Sequence, residues 1–438
     1  MLQNESSFIA AELILMVETW LFFGKTEIPV RIPDENLIGI VEPPLREGSS
    51  NPKEEILRAI ENPLGSQRLE EIVKPGKRIA IVVDDNTRTT PNNLILQSLL
   101  QKLEQSGIRN EDITIIIGCG MHSMKHEDSQ NLIDEIVIGK VKTLIHDCNS
   151  QDLVFLGTTS FGTKVYVNKV FADADVRILT GDVGLHYYAG YSGGRKSVLP
   201  AIAGATTIKS NHAFLLNANA RTGNLDGNPV HLDMEEAASL AKVDFALNVV
   251  LNTRGEVVKA FAGDLDQVFF ESVKLVDEIS KVTIERKADI AIVGVGGHPH
   301  DNSLYKSYKG IDSVLGVMSN NGVIILAAEC SEGYGERVFY DWTMKFKSIV
   351  EIEREIKRNF AIGGHVAYYL MRALEGVKII LVSIMPDYYA TGVFRLRTAK
   401  TLNSAVDAAF RITGRKGKIL VVPHGEATLP IVKTQNQI

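Results

Sequence analysis

The sequence predicts an α/β protein of two domains, each built on a doubly wound, mostly parallel sheet, with an interdomain cleft. Three observations lead there. Short apolar, β-branched runs recur along the 438 residues, each ending abruptly in glycine or polar side chains. The runs are continuously apolar rather than alternating, which marks strands covered on both faces. Helix-like segments separate them, and strands alternating with helices are the pattern of doubly wound sheets.

The elements follow in chain order. SSFIAAELILMVETWLFF (6–23) is apolar, but Glu12 and Glu18 interrupt it, and it lacks a basic leader and a small-residue cleavage site. It reads as a helix or strand packed on the body, not as a signal peptide or a membrane span. Met16 is an alternative start that would leave residues 1–15 as an extension. RIAIVVDD (78–85) is the first sheet strand. PNNLILQSLLQKLEQSG (91–107) is a helix, with Pro91 near its start and Gly107 near its end. DITIIIGCGMH (112–122) and VRILTGDVGLH (176–186) are strands that end in histidine. DFALNVVLNTRGEVVKAFAGD (244–264) is a hairpin turning at 252–255, and GDLDQVFFESVKLVDEIS (263–280) is a helix. A fresh set of strands then begins: DIAIVGVGG (289–297), NGVIILAAEC (321–330), VKIILVSI (377–384) and GKILVVPHG (417–425), with a helix at 348–360. The domain change is expected within 265–288. The expected division is residues 1–275, then 276–415, with 416–438 free to return to the first domain.

Composition excludes several classes. With 47 basic and 53 acidic residues the net charge is −6, and no basic block or aromatic-interleaved stripe offers itself to nucleic acid. Cys119, Cys148 and Cys330 are odd in number and far apart, so neither a disulfide framework nor a zinc ribbon is supported. A reducing cytoplasm is the expected location.

Ligands of open α/β sheets bind at the carboxyl ends of strands. The first strand ends at Asp85, followed by Asn86, Thr87 and Arg88; the second leads to His122 and the third to His186. If the strands are parallel, these groups meet in one crevice. GYSGGRKS (190–197) adds a lysine. It is one residue from the phosphate-loop pattern G-x-x-x-x-G-K-[ST], but Arg195 replaces the glycine that lets the backbone close on phosphates. That points away from a phosphate cradle and toward an exposed Lys196 used as Schiff-base former, charge clamp or covalent tether. His212, sixteen residues on, is a candidate metal ligand. Plainer roles compete: Asp85 and Arg88 can cap the following helix, and His126, His146 and His231 are expected to be structural. Two other functions use the same residues. One is a divalent-metal hydrolase or lyase, with Asp182 as its acidic ligand; the other is a non-catalytic nucleotide-binding protein.

From about residue 78 to 430 the chain resembles the lactate racemase family that depends on a nickel-pincer nucleotide. The resemblance rests on DDNTRTTP, GCGMH, HYYAGYSGGRKSVLP with Asn211–His212, and GGHPHDNSLYKSYKG (296–310). It implies a cytoplasmic racemase or epimerase of a small 2-hydroxy acid. In that chemistry a hydride leaves C2 for the cofactor, giving a 2-keto acid. It implies Lys196 as the tether of the nickel-pincer nucleotide, His212 as the protein ligand to nickel, and Asp85, Asn86, Thr87 and Arg88 as cofactor contacts. His122 and His186 would be the paired acid and base, and Arg88, Lys306 and Lys309 would hold the substrate carboxylate. Cofactor-maturation enzymes are implied as partners. Lactate-specific members resemble one another in having glutamine where this chain has Lys306, and His298 replaces a more usual aromatic residue. The two added cationic groups point to a second carboxylate or a polyhydroxylated substrate.

Overall fold

The computed structural model describes residues 15–433, apart from 123, 125–131, 135, 136 and 138, so His126 lies outside the described residues. Two six-stranded sheets organise them. The first runs, in spatial order, Val257–Gly263, Phe245–Leu251, Val176–Asp182, Ile79–Asp84, Ile113–Gly118 and Lys142–Ile145. Every neighbouring pair is parallel except the hairpin formed by the first two strands named. The second runs Arg397–Thr398, Lys378–Val382, Met318–Ala327, Ala288–Gly294, Ile419–Val422 and Leu37–Ile40, all parallel.

The continuous apolar runs are strands because both their faces are covered. Ile81, Val83, Ile115 and Ile117 pack against Leu96, Leu99 and Leu103 of the helix Asn92–Gln105. On the opposite face Val82 and Ile116 meet Val198, Leu199 and Ile202. Each such side chain, fully buried, contributes about 1.5–3 kcal/mol. Gly107, at φ +77°, ends the Asn92–Gln105 helix.

Sheet membership corrects the contiguous division. Residues 16–40, expected with the first sheet, pack on the second. The hairpin Met16–Phe23/Thr26–Pro33 turns Leu21, Val30 and Ile32 inward against Ile290, Ile292 and Ile325. Leu37–Ile40 then pairs with Ile419–Val422 and covers what would be an open edge. The closing segment does not return to the first sheet either: Ile419–Val422 lies inside the second sheet, and Leu429–Val432 pairs with Lys281–Ile284. The apolar alternation of 16–33 is legible in sequence, but its partner lies more than 250 residues away.

In the first sheet the chain leaves Ile79–Asp84 toward Ile113–Gly118 and Lys142–Ile145, then crosses back to Val176–Asp182 on the other side. The carboxyl ends of Ile79–Asp84 and Val176–Asp182 therefore form a topological switch point, where such sheets bind ligands. The second body closes over this edge. Tyr187 Oη lies 2.6 Å from His365 Nε2, Thr222 Oγ1 donates to Asp312 Oδ2 at 2.5 Å, and Tyr369 Oη donates to the Leu215 carbonyl at 3.2 Å. Among the described residues no helix is long and apolar enough to cross a membrane.

Candidate active site

Asp84 and Asp182 end the two strands at the switch point. Thr90, just before the Asn92–Gln105 helix, sets its hydroxyl 2.6 Å from Asp84 Oδ2 and 2.5 Å from Asp182 Oδ1. A hydroxyl owns one proton, so bridging two carboxyl groups requires a second proton on one of them. Burial, reinforced by Asp182, pushes the Asp84 carboxyl up to about 7 against the pull of Arg88. Burial also opposes the charge of Arg88, but Asp182, Asp84 and Asp85 outweigh it and hold the guanidinium above its ordinary range.

Asp85 is in a different state. Its Oδ1 accepts the Thr87 amide at 3.1 Å, and its Oδ2 lies 2.8 Å from His122 Nδ1. Burial raises this carboxyl, but the hydrogen bonds from His122 and Thr87 prevail and keep it below the usual carboxylate range. An ionised oxygen only accepts, so His122 Nδ1 carries hydrogen, and in the neutral ring the lone pair is then on Nε2. A carboxylate holding an imidazole in this tautomer is how a general base is oriented.

His186 is not at a strand end, as expected, but four residues beyond it. Val176–Asp182 stops at Asp182, and Leu185–His186 pairs antiparallel with Gly190–Tyr191. Its Nδ1 accepts the amides of Tyr188 and Ala189 at 3.5 and 3.4 Å, which places its hydrogen on Nε2. Burial, then the charges of Lys196 and Arg88, hold it well below the ordinary histidine range. The two imidazoles thus have opposite tautomers. His122 Nε2 accepts a proton and His186 Nε2–H donates one.

Lys196 sits in the single turn Gly194–Ser197. Gly193 precedes it at φ +72°, and a Cβ there would lie 2.5 Å from Val183 Cγ2 and 2.7 Å from the Asp182 carbonyl oxygen. Arg195 accounts for the departure from the phosphate-loop pattern. Its side chain is buried and donates to the carbonyls of Ala189 (2.9 Å), Tyr191 (3.2 Å) and Gly193 (3.4 Å) and to His231 Nδ1 (3.0 Å). Its guanidinium also lies 4.0 Å over the Phe269 ring. Arg195 therefore fastens the loop from inside. Lys196 is buried too, and burial, then Arg88 and Arg195, depress its ammonium well below the ordinary lysine range. The neutral amine is the nucleophilic form.

His212 ends the helix Ala205–His212. Asn211 Nδ2 donates to the Val230 carbonyl (3.1 Å) and to Asp233 Oδ2 (2.8 Å), so its Oδ1 is what faces His212 Nδ1 at 3.0 Å. His212 Nδ1 is then the donor and Nε2 keeps the lone pair a metal needs. Burial, then Lys196, hold this imidazole well below its ordinary range as well. His146 and His231 are structural: His146 Nε2 bonds the Ala203 carbonyl at 2.9 Å and His231 serves Arg195.

One cavity is lined by Asp85, Thr87, Arg88, His122 and Lys196, together with the glycine turn at 118–120. Asn86 is exposed and does not line it. Lys306 and Lys309 are exposed on the helix Leu304–Leu315 of the second body. That helix packs toward the site: its Tyr308 ring lies 6.4 Å from Tyr187, and its Tyr305 ring 6.3 Å from His365. Among the described residues no three His, Cys, Asp or Glu side chains are grouped to hold a metal, and Asp182 is taken up with Thr90. Sequence reasoning missed Asp84, Thr90, Tyr187 with His365, and Glu426 with His300. The doublet Asp84–Asp85 was in view at the end of RIAIVVDD, but its partners were not.

Residues 23–223 match the lactate racemase N-terminal domain and residues 283–429 the lactate racemase C-terminal domain. The chain is 34% identical over 418 residues to the lactate racemase of Thermoanaerobacterium thermosaccharolyticum, covering 93% of this chain and 97% of that one. It is 32% identical over 420 residues to the lactate racemase of Lactiplantibacillus plantarum, covering 94% and 99%. The fold superposes on the apoprotein structure of the T. thermosaccharolyticum lactate racemase with a TM-score of 0.87 at 32% identity, over 95% of this chain and all of that one. A Thermotoga maritima protein shares the fold at a TM-score of 0.66 and 20% identity, over 89% of this chain. The matched domains run in the same order as the two sheets, and the chain belongs to the lactate racemase family.

Proposed function

We propose that this protein racemises or epimerises a 2-hydroxy acid with a nickel-pincer nucleotide covalently attached at Lys196. One observation carries the reading: the buried Lys196 lines a cavity with His122 and lies over the Tyr188 ring, against which His186 and His212 also pack. The residues fit that cofactor. Burial of Lys196 favours the neutral amine, the form that can be acylated, and His212 Nε2 offers one donor. With no group of three His, Cys, Asp or Glu side chains there among the described residues, an ion at His212 would draw further donors from what it arrives with. Arg88 and Thr87 face the same cavity and suit a phosphate or carboxylate. When bound, the cofactor supplies a hydride acceptor for the C2 hydrogen, which this chain's side chains cannot provide.

The protein's own share is proton transfer and orientation. His122 Nε2 takes the substrate hydroxyl proton, and Asp85 stabilises the imidazolium that results. His186 Nε2–H returns a proton from the other side, so that His122 and His186 exchange roles between enantiomers. Arg88, Lys306 and Lys309 hold the carboxylate while the planar keto acid turns over. Burial of Lys196, His186 and His212 limits water at those groups. Maturation enzymes that make and deliver the cofactor are the expected partners.

The test is peptide mass spectrometry of protein produced together with those maturation enzymes. Lys196 should carry a nucleotide adduct that is absent from Lys196→Arg, and chiral chromatography should show racemisation of a hydroxy acid by wild type alone. Full activity in Lys196→Arg, or an unmodified Lys196 in an active preparation, would overturn the reading.

A further inference from the structure

Lys306 and Lys309 lie three residues apart on the Leu304–Leu315 helix and so share a face, but they are not electrically equivalent. The Lys309 ammonium donates to Glu426 Oε1, and His300 Nδ1 lies 2.6 Å from the other carboxylate oxygen, Oε2. Glu426 comes from the turn between Ile419–Val422 and Leu429–Val432, and its side chain is only 26% exposed. Lysine and histidine outweigh the burial that opposes ionisation and hold this carboxyl at about 2. Lys306 has no ion-pair partner among the described residues. Of the two lysines on this helix face only Lys309 is paired with a carboxylate, which leaves Lys306 as the single uncompensated lysine there.

We propose that Glu426 is a positioning and specificity residue: it fixes the Lys309 ammonium and cancels its charge, so that the site selects hydroxy acids bearing one carboxylate over those bearing two. The inference rests on the reading of this helix as the substrate-carboxylate face. Glu426 leaves Lys309 two N–H directions for a substrate oxygen. A second substrate carboxylate would have to approach an already occupied lysine beside a fixed negative charge, and like charges brought together disfavour binding. In sequence Lys306 and His298 pointed to a second carboxylate; the charge that Glu426 removes is that of the neighbouring Lys309.

The experiment uses holoprotein made with the maturation enzymes and measures kcat and KM for 2-hydroxybutyrate and malate. Where a compound is not turned over, its competitive inhibition constant against the acid that is turned over replaces KM. In Glu426→Gln the monoacid-to-diacid preference should shift toward malate by about tenfold or more, carried by KM rather than kcat, and Glu426→Asp should restore it. The double variant Lys306→Gln/Glu426→Gln again has one uncompensated cation, and should return the preference toward the monoacid. A loss of packing does not predict that return. A preference unmoved within about twofold in Glu426→Gln, or not restored in the double variant, overturns the inference and leaves the racemase reading standing. Wild-type holoprotein that converts no hydroxy acid overturns both.

Discussion

The carboxyl groups Asp84 and Asp85 are neighbours in sequence and opposite in state, because one meets a hydroxyl shared with Asp182 and the other meets an imidazole. The Asp84 carboxyl stands at about 7 in the fold against 3.8 when exposed, so the folded protein binds that proton more tightly than the unfolded chain. Stability therefore falls as pH rises between those values, and the favourable contribution is gone once pH passes the folded value. Asp84→Asn cannot ionise, and its amide still faces the Thr90 hydroxyl. It should flatten the decline in urea-unfolding free energy between about pH 4 and about pH 7, and be more stable than wild type at about pH 8. An unchanged slope would mean that Asp84 is already ionised in the fold. That Asp85 and His122 meet was readable, since loops at the carboxyl ends of parallel strands converge, although His122 lies four residues beyond the end of Ile113–Gly118. Thr90 was not: its role depends on Asp182, 92 residues away.

At the scale of elements, the loop from His186 to Ser197 shows how a motif one residue from a known pattern can be a different device. Arg195 draws three carbonyls and one imidazole toward a buried guanidinium. Burial lowers its pKa to about 9, yet this leaves it charged at neutral pH. Truncating it leaves several buried acceptors without donors, at about 1–3 kcal/mol each. Arg195→Met, similar in length and able to lie over Phe269, should lower stability by about 2–5 kcal/mol in a chemical-unfolding experiment. It should also reduce cofactor loading at Lys196, because the turn that aims the lysine is no longer pinned. Restoring glycine at 195 should be worse, not better, which separates this loop from a phosphate cradle. The sequence carried the strands, the Asn252–Gly255 hairpin and the helices here, since each is a local pattern of apolar period and turn residues. It did not carry the short Leu185–His186/Gly190–Tyr191 pairing, which two residues a side are too few to announce.

At the scale of the molecule, the described residues start on the second body, build the first, and return. Residues 16–40 pair and pack with strands 288–294, 318–327 and 419–422, so the second sheet is complete only when both ends of the chain are present. Leu21, Val30 and Ile32 are fully buried there. At about 1.5–3 kcal/mol each they supply about 5–9 kcal/mol, comparable with the entire net stability of a domain. A polypeptide of residues 42–280 contains the whole first sheet and should fold by itself. One of residues 281–433 lacks an edge strand and exposes Ile290, Ile292 and Ile325, so it should aggregate. Supplying residues 15–41 as a separate peptide during expression should return it to solution. The readout is clean, because the only two tryptophans, Trp20 and Trp342, both belong to the second body. Tryptophan emission then follows that body alone, while far-ultraviolet circular dichroism of 42–280 follows the other. A soluble, cooperatively unfolding 281–433 without the peptide would show that the hairpin and edge strand decorate the second sheet rather than complete it.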